Sequence, residues 1–324
     1  TLLGLSALPS DHELHVGMVG MHGNYAPNVL TNDCDVLIAV GMRFDDRVTG
    51  NLATYAKQAK IVHFEIDPAE VDKNVKTDVA VLGNVKDTLS TILPFIEKKE
   101  HKSWMQKFND LYDIEFKEVI DGQINVVSDG LTMAETMMAL NKETKGDAVI
   151  VSDVGQHQMV ASRYSKSNRG KSKVTSGGLG TMGFALPAAI GAKMGAPDRE
   201  VVAIIGDGGF QMNIQELGTI LQTKVPVKII VLNNQFLGMV RQWQELFFDG
   251  RYASTEMTNP DFVKISEGYG IQARRVTERK DLGDAIEEMI ASKESYFLEV
   301  VVEMEENVFP MIPTGSSVSD IRLK

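Results

Sequence analysis

Cysteine is almost missing from this chain: Cys34 is the single one in 324 residues. No internal disulfide framework and no multi-cysteine metal site can be built from it. Excess positive charge is missing too. The formal net charge of −11 argues against a nucleic-acid footprint, and an anionic ligand would need local Arg, Lys, helix termini or metal to hold it. Long apolar runs are lacking. Val201 to Ile205 and Val227 to Leu232 are far too short to span a bilayer, and no targeting segment is visible. A starting methionine is also lacking. The chain opens at Thr1 in the apolar run Thr-Leu-Leu-Gly-Leu, which leads us to expect a fragment with an upstream part removed. What remains is 43% hydrophobic and 24% charged residues, the balance of a soluble globular protein suited to the cytoplasm. The length predicts two domains.

Short apolar runs alternate with helical stretches. Val36–Val40 and Ile61–Ile66 read as buried parallel strands, with a weak helical stretch near Asn51–Gln58 between them. Val79–Leu82 is a candidate third strand, and Asp87–Glu97 a helix with Leu89, Ile92 and Ile96 on one stripe. The first domain is therefore expected over 1–97. A charged and aromatic link, including a helix at Trp104–Ile120, is expected over 98–128, and a second domain with a C-terminal tail over 129–324. In that second domain strands are expected at Ala148–Ser152, Val201–Ile205, Val227–Leu232 and Phe297–Val302. Helices are expected near Thr132–Asn141, Met182–Met194, Ile214–Thr223, Leu237–Leu246, Phe262–Tyr269 and Leu282–Ile290. This rhythm predicts an α/β fold: two doubly wound domains with mostly parallel sheets, whose ligands sit at the carboxyl ends of strands.

The most informative segment follows the Val201 strand. It reads Gly206-Asp207-Gly208-Gly209-Phe210, and Asn233-Asn234 ends the next strand. One strand-helix-strand unit separates them, which predicts Asp207 and Asn234 side by side at neighbouring strand tips. Both offer hard oxygen ligands of the kind Mg²⁺ requires. The glycines let the backbone approach phosphate oxygens, and the following helix points its N-terminus at them. Taken alone, Gly-Asp-Gly is equally well a tight turn.

The paired segments resemble the motif of thiamine-diphosphate enzymes. The resemblance implies that the Asp207 and Asn234 side chains and the Phe236 carbonyl hold Mg²⁺, with Gly206, Gly208 and Gly209 at the diphosphate. It also implies that Gly155, Gln156 and His157, in the loop after the Val149 strand, contact the diphosphate. Gly178-Leu-Gly180-Thr-Met-Gly183 matches the dinucleotide pattern G-x-G-x-x-G, which needs a preceding strand. The basic polar stretch 168–175 reads as a loop, so a dehydrogenase is disfavoured. Under the resemblance the Gly180 carbonyl receives the aminopyrimidine amine. Met182 supports the thiazolium and keeps the cofactor bent, a gain in proximity; without the resemblance Met182 is a core methionine.

Three further segments narrow the family to acetolactate synthases (acetohydroxyacid synthases), catalytic subunit. Gly238-Met239-Val240-Arg-Gln-Trp243 resembles the substrate-pocket segment, with Met239, Val240 and Trp243 as lining residues; Met239 and Trp243 share one helix face. A plain core stripe is the alternative. Gly41-Met-Arg43-Phe-Asp45-Asp46-Arg47-Val48 follows the Val36 strand. The resemblance implies FAD contacts at Gly41, Arg43, Asp45 and Val48, and a substrate arginine at Arg47, whose planar fork suits a carboxylate. A solvated charge run is the alternative there. Met21 and His22 resemble residues beside the flavin, with Met21 also facing substrate, and Thr1, Leu2, Glu65 and Ile66 resemble further FAD contacts. Asn84 stands where the family commonly has Asp, which removes a charge from the FAD site.

The implied reaction decarboxylates pyruvate on thiamine diphosphate. The hydroxyethyl carbanion then joins a second pyruvate or 2-oxobutyrate, a first step toward branched-chain amino acids, and FAD serves structure. The implied assembly is a homodimer or homotetramer, with a small regulatory subunit as a candidate partner and neither nucleic acid nor membrane. The family's activating glutamate lies in an N-terminal domain, so the chain by itself is expected to be inactive. The competing readings are a pyruvate oxidase with redox-active FAD and a non-catalytic nucleotide-binding module.

Overall fold

The computed structural model describes residues 1–127 and 129–324. They form two compact units. The first comprises Thr1, Val16–Ile120 and Phe309–Lys324; the second comprises Leu2–His15 and Asp121–Val308. Residue 97 thus lies inside the first unit, and of the expected link 98–128 the described residues are divided between the two, residue 128 lying outside them. Among the described residues no helix is long and apolar enough to cross a membrane.

In the first unit β1 (Val36–Val40), β2 (Lys60–Glu65) and β3 (Val79–Leu82) form a parallel sheet in that order. The C-terminal segment belongs here because Ile312, Val318 and Ile321 are buried with Phe44, Tyr55 and Ile61 in one core. The helix Lys102–Glu115 belongs here as well. Its Glu115, fully buried, accepts the Tyr25 N–H at 2.8 Å and the Asn24 side-chain amide at 3.0 Å, at the start of the helix Tyr25–Thr31. A carboxylate there satisfies helix-terminal N–H groups and the dipole together.

Three expectations change. Residues 51–58 form turns instead of a helix, because Asn51 accepts the Ala53 N–H at 2.9 Å in an Asx turn. The local helix is Asp46–Thr49, capped by Asp45. The helix expected at Asp87–Glu97 runs Val85–Ile92 and gives way to a 3₁₀ turn at Leu93–Phe95, where Pro94 supplies no N–H. Its stripe faces outward: Leu89 is 40% and Ile96 60% exposed.

In the second unit six strands form an all-parallel sheet. They are β4 (Val149–Ser152), β5 (Lys173–Thr175), β6 (Val201–Gly206), β7 (Lys228–Asn233), β8 (Gln272–Val276) and β9 (Tyr296–Val301). The order is β5-β4-β6-β7-β9-β8. β4, β6 and β7 are buried along their whole length, as strands covered on both faces must be. Phe210, Phe262 and Phe297 centre one side, with ring centroids 5.1–5.2 Å apart. From β4 the chain leaves to β5 at one edge and returns to β6 on the other side of β4. The gap between β4 and β6 is therefore a topological switch point, where the loops after both strands open a crevice.

β5 and β8 were not expected. Both are edge strands, and their Lys173, Gln272, Arg274 and Arg275 hide the apolar signal. β5 also corrects the reading of 168–175 as a loop, so the glycine-rich stretch 178–183 does follow a strand. A dinucleotide fingerprint, however, follows a central strand at the switch point, and β5 lies at the sheet edge with β4 between it and β6.

Phe262→Ala should cost about 3–5 kcal/mol of second-unit stability, read as a lowered denaturation midpoint by near-ultraviolet circular dichroism. A cost under about 1 kcal/mol would contradict the packing described.

Candidate functional site

β6 and β7 pair with Gly206 opposite Leu232. The next residues, Asp207 on one strand and Asn233-Asn234 on the other, therefore leave the sheet together. Asp207 and Asn234 are 1% and 4% exposed. One Asp207 carboxylate oxygen accepts the Gly208 N–H at 3.0 Å; the other accepts the Asn259 side-chain amide at 2.7 Å, and that amide also reaches Asn233 at 3.0 Å. Burial pushes the Asp207 pKa up to about 6, so this carboxylate is held where a cation would stabilise its charged form. Asn234 donates from Nδ2 to Gln156 Oε1 at 3.4 Å, and its Oδ1 accepts the Phe236 N–H at 3.3 Å.

The loop after β4 enters from the other side of the switch point. Its Gln156, His157 and Gln158 begin the helix Gln156–Tyr164 instead of lying in a loop. His157 is buried, and burial depresses its pKa to about 3, so the imidazole is neutral. Its Nε2 is buried without a hydrogen-bond partner among the described residues, and an unpaired buried polar atom needs explaining. His157 also leans on the backbone of β6: a Cβ at Gly206 would come 2.8 Å from Nδ1. Glycine is required there by close approach, not by a turn.

Met182 approaches the same crevice. A Cβ at Gly208 would meet Leu237, the Met257 sulfur and the Met182 methyl within 4 Å. The Met182 loop is held by Asp153, which sequence reasoning missed. Fully buried, its carboxylate accepts N–H groups from Gly183 at 3.0 Å and Val154 at 2.7 Å. The available signal was positional, since Asp153 follows β4 as Asp207 follows β6. Gly180 is exposed and its N–H donates to the Ser176 carbonyl at 2.9 Å. The helix expected from Met182 starts at Ala185.

The helix Gly238–Phe247 is inverted in polarity. Arg241 and Gln242 are fully buried, whereas Val240 is 48% exposed and Met239 and Trp243 are half-buried. Trp243 packs against Phe247 with centroids 5.1 Å apart and the rings tilted by 53°. A core stripe would show the reverse, so this apolar face is free to meet a ligand. The polar face is tied to 306–308. Arg241 donates to the Glu306 carbonyl at 3.1 Å and to Asn307 at 2.6 Å, and Gln242 exchanges two bonds with the Val308 backbone.

In the first unit, two of the expected segments meet. The Met21 N–H donates to the Arg47 carbonyl at 2.7 Å, which puts Met21 and the buried His22 beside the short helix of Val48. Gly41, Arg43 and Asp45 follow the tip of β1. Arg43 lies 3.5 Å from Asp45, and Arg47, 62% exposed, lies 3.6 Å from Asp46. Glu65 turns its carboxylate back onto the N–H groups of Ile66 and Asp67, at 2.8 and 3.2 Å, and leaves the Ile66 side chain exposed. Asn84 caps the helix Val85–Ile92 through the Lys86 N–H at 2.9 Å. Thr1 clusters with this unit and Leu2 with the other.

Two family matches divide the chain similarly, except that the first takes in Leu2–His15. Residues 1–92 match the central domain of thiamine pyrophosphate enzymes, and residues 153–300 match their C-terminal TPP-binding domain. The chain belongs to the thiamine pyrophosphate enzymes. It is 42% identical over 323 residues to the acetolactate synthase isozyme 2 large subunit of Escherichia coli. It is 41% identical over 327 residues to a probable acetolactate synthase large subunit of Methanocaldococcus jannaschii. To acetolactate synthase 1, chloroplastic, of Nicotiana tabacum it is 42% identical over 338 residues. Each similarity takes in 99% of this chain, which spans 57%, 55% and 50% of these relatives. The residues of this crevice fit the group this family is named for. An orphaned imidazole nitrogen, a glycine edge and a buried carboxylate beside an amide oxygen suit a diphosphate with its cation.

Two predictions follow from this packing. Asp153→Ala leaves the Val154 and Gly183 N–H groups buried and unpaired, so it should cost at least about 2 kcal/mol in a denaturant titration. Glu306 is the second. Burial, with Glu303 and Glu135 adding repulsion, pushes its pKa up to about 7 from an ordinary 4.5. Between those values the folded chain keeps a proton that the unfolded chain has lost, so stability falls as pH rises from about 4.5 to 7. Glu306→Gln should therefore raise the melting temperature by several degrees at pH 8 and leave it nearly unchanged at pH 4.5. An equal shift at both pH values would contradict the assignment.

Proposed function

We propose that this chain forms the central and cofactor-binding parts of an acetolactate synthase catalytic subunit. Such a subunit removes CO₂ from pyruvate and joins the remaining two-carbon unit to a second pyruvate or to 2-oxobutyrate. The observation that carries this reading is that Asp207 and Asn234 leave adjoining strand tips at one edge of the sheet, where the His157 ring lies against Gly206 and keeps a buried, unpaired Nε2. Similarity to acetolactate synthases along 99% of the chain supports the choice within the family.

When bound, thiamine diphosphate supplies a nucleophilic carbon and an electron sink. In this reading the Asp207 and Asn234 side chains and the Phe236 carbonyl hold Mg²⁺, which selects oxygen donors. Gly155, Gln156, neutral His157, Gly206, Gly208 and Gly209 hold the diphosphate, with His157 donating from Nε2. The Gly180 carbonyl accepts the pyrimidine amine, and Met182 supports the rings and sets their angle. Met239, Val240 and Trp243 give the acceptor an apolar wall and exclude water. Arg47 and Met21 are assigned to substrate on the resemblance alone.

FAD belongs to the same proposal. Gly41, Arg43, Asp45, Val48, Met21, His22, Glu65, Ile66 and Asn84, with Thr1 and Leu2, are its proposed contacts. Asn84 would hold the adenosine side without a charge, and a Cβ at Gly41 would meet nothing within 4 Å, which suits a ligand lying across that strand tip. A homodimer or homotetramer with a small regulatory subunit, in the cytoplasm, completes the proposal.

The test is product analysis with pyruvate, Mg²⁺ and thiamine diphosphate, using this chain carried on a subunit of its relatives' full length. Acetolactate is the expected product. Asp207→Ala should lower its formation by at least about 100-fold and abolish Mg²⁺-dependent cofactor binding in calorimetry. Acetate or acetyl phosphate as the main product, or an unaffected Asp207→Ala variant, would overturn the reading.

A further inference from the structure

An asparagine can hold a cation only if its oxygen, and not its NH₂, faces the ion. Asn234 is buried, so its orientation must come from the protein. The hydrogen bonds behind it trace back to two backbone groups that admit one answer each.

The Val308 N–H can only donate. The atom of Gln242 that meets it, at 2.9 Å, is therefore the oxygen, and Gln242 Nε2 donates in turn to the Val308 carbonyl at 3.1 Å. The Glu306 carbonyl can only accept. The atom of Gln156 that meets it, at 2.8 Å, is therefore the nitrogen, which also donates to Gln242 Oε1 at 3.0 Å. Gln156 then has only its oxygen left to turn toward Asn234. That oxygen accepts Asn234 Nδ2 at 3.4 Å, and Asn234 Oδ1 is left on the opposite side, where the Phe236 N–H also reaches it at 3.3 Å. Gln156, Asn234 and Gln242 are 2%, 4% and 0% exposed, so water does not compete for these bonds. The relay runs past Gly238. A Cβ there would overlap Gln156 Oε1 and come 2.7 Å from Asn234 Nδ2, so the helix must begin with glycine for the three amides to touch.

We propose that Gln242 is a positioning residue for the cation site: through Gln156 it fixes the amide of Asn234 with its oxygen toward the metal. Gln242 itself touches no ligand in this role. It answers to the segment 306–308, which thereby acts on the metal site from behind. The proposal rests on the Mg²⁺ and thiamine-diphosphate reading above.

The test is a double-mutant cycle read by calorimetric titration of Mg²⁺ in the presence of thiamine diphosphate. Gln242→Met keeps the length of the side chain and removes its amide, so Mg²⁺ affinity should fall about tenfold or more. Gln242→Glu reproduces the donor and acceptor as the neutral acid and should stay within about threefold of the parent. Asn234→Asp supplies the control, since its two oxygens are alike and need no orienting. In that background Gln242→Met should leave Mg²⁺ affinity unchanged, because a carboxylate presents an oxygen to the ion whichever way Gln156 turns. A purely structural glutamine would weaken both backgrounds equally, and that result overturns the proposal, as does a Gln242→Met variant that binds Mg²⁺ like the parent. If the parent chain binds neither Mg²⁺ nor thiamine diphosphate, the underlying reading fails instead.

Discussion

Parallel pairing of β6 with β7 is the constraint on which the rest depends. In an antiparallel pair the strands would end at opposite edges, and the residues following Gly206 and Asn233 would lie a strand's length apart. In the parallel register, with Gly206 opposite Leu232, the chain leaves both strands at one edge. A carboxylate and an amide then meet without any long-range adjustment. The pairing is secured by burial: β6 and β7 are hidden along their whole length, so their backbone N–H and C=O groups must find partners in the neighbouring strands instead of in water. The stability of the core and the geometry of the site are thus one requirement.

Burial also sets the electrostatics. A carboxylate at an exposed turn would keep its ordinary pKa and bind a lone cation weakly. Asp207, at 1% exposure with its pKa near 6, carries a desolvation cost that a bound cation offsets. His157 meets the opposite demand, since burial keeps it neutral. In the proposed site it would donate one N–H to an anion without adding a second cation beside a metal. Asp153 does a third kind of work, spending its buried charge on backbone N–H groups, so that the loop bearing Met182 is fixed before any ligand arrives.

Much of this was legible in the residue order, for identifiable reasons. Val201–Ile205 and Val227–Leu232 announce buried strands because nothing polar interrupts them, and Asp207 and Asn234 stand directly at their ends. The edge strands β5 and β8 were hidden because a strand exposed on one side can carry Lys173 or Arg274 at little cost. The helix Gln156–Tyr164 was hidden because its first turn is polar and buried, which defeats a reading by hydrophobic period. Asp153, Gln242 and Asn259 escaped for another reason. Their partners lie 30, 66 and 52 residues away, and no local pattern records such a contact. The C-terminal segment was assigned to the wrong neighbour by chain order alone; Ile312, Val318 and Ile321 find their core with residues from the first third of the chain.

The inverted helix Gly238–Phe247 shows how the two kinds of information combine. Its sequence offers an apolar stripe and a polar stripe, and ordinary amphipathic logic buries the first. Here the polar stripe is buried because Arg241 pairs with Glu245 and, with Gln242, finds carbonyls, an N–H and the Asn307 side chain in 306–308; these bonds offset desolvation although Arg241 Nε has no partner among the described residues. Once those bonds are made, Met239, Val240 and Trp243 have no route inward. The same bonds hold the helix start against Asn234, so an exposed apolar face and an oriented Asn234 amide come from one docking event. A substitution that loosened 306–308 would disturb both at once, although none of those residues stands at the strand tips.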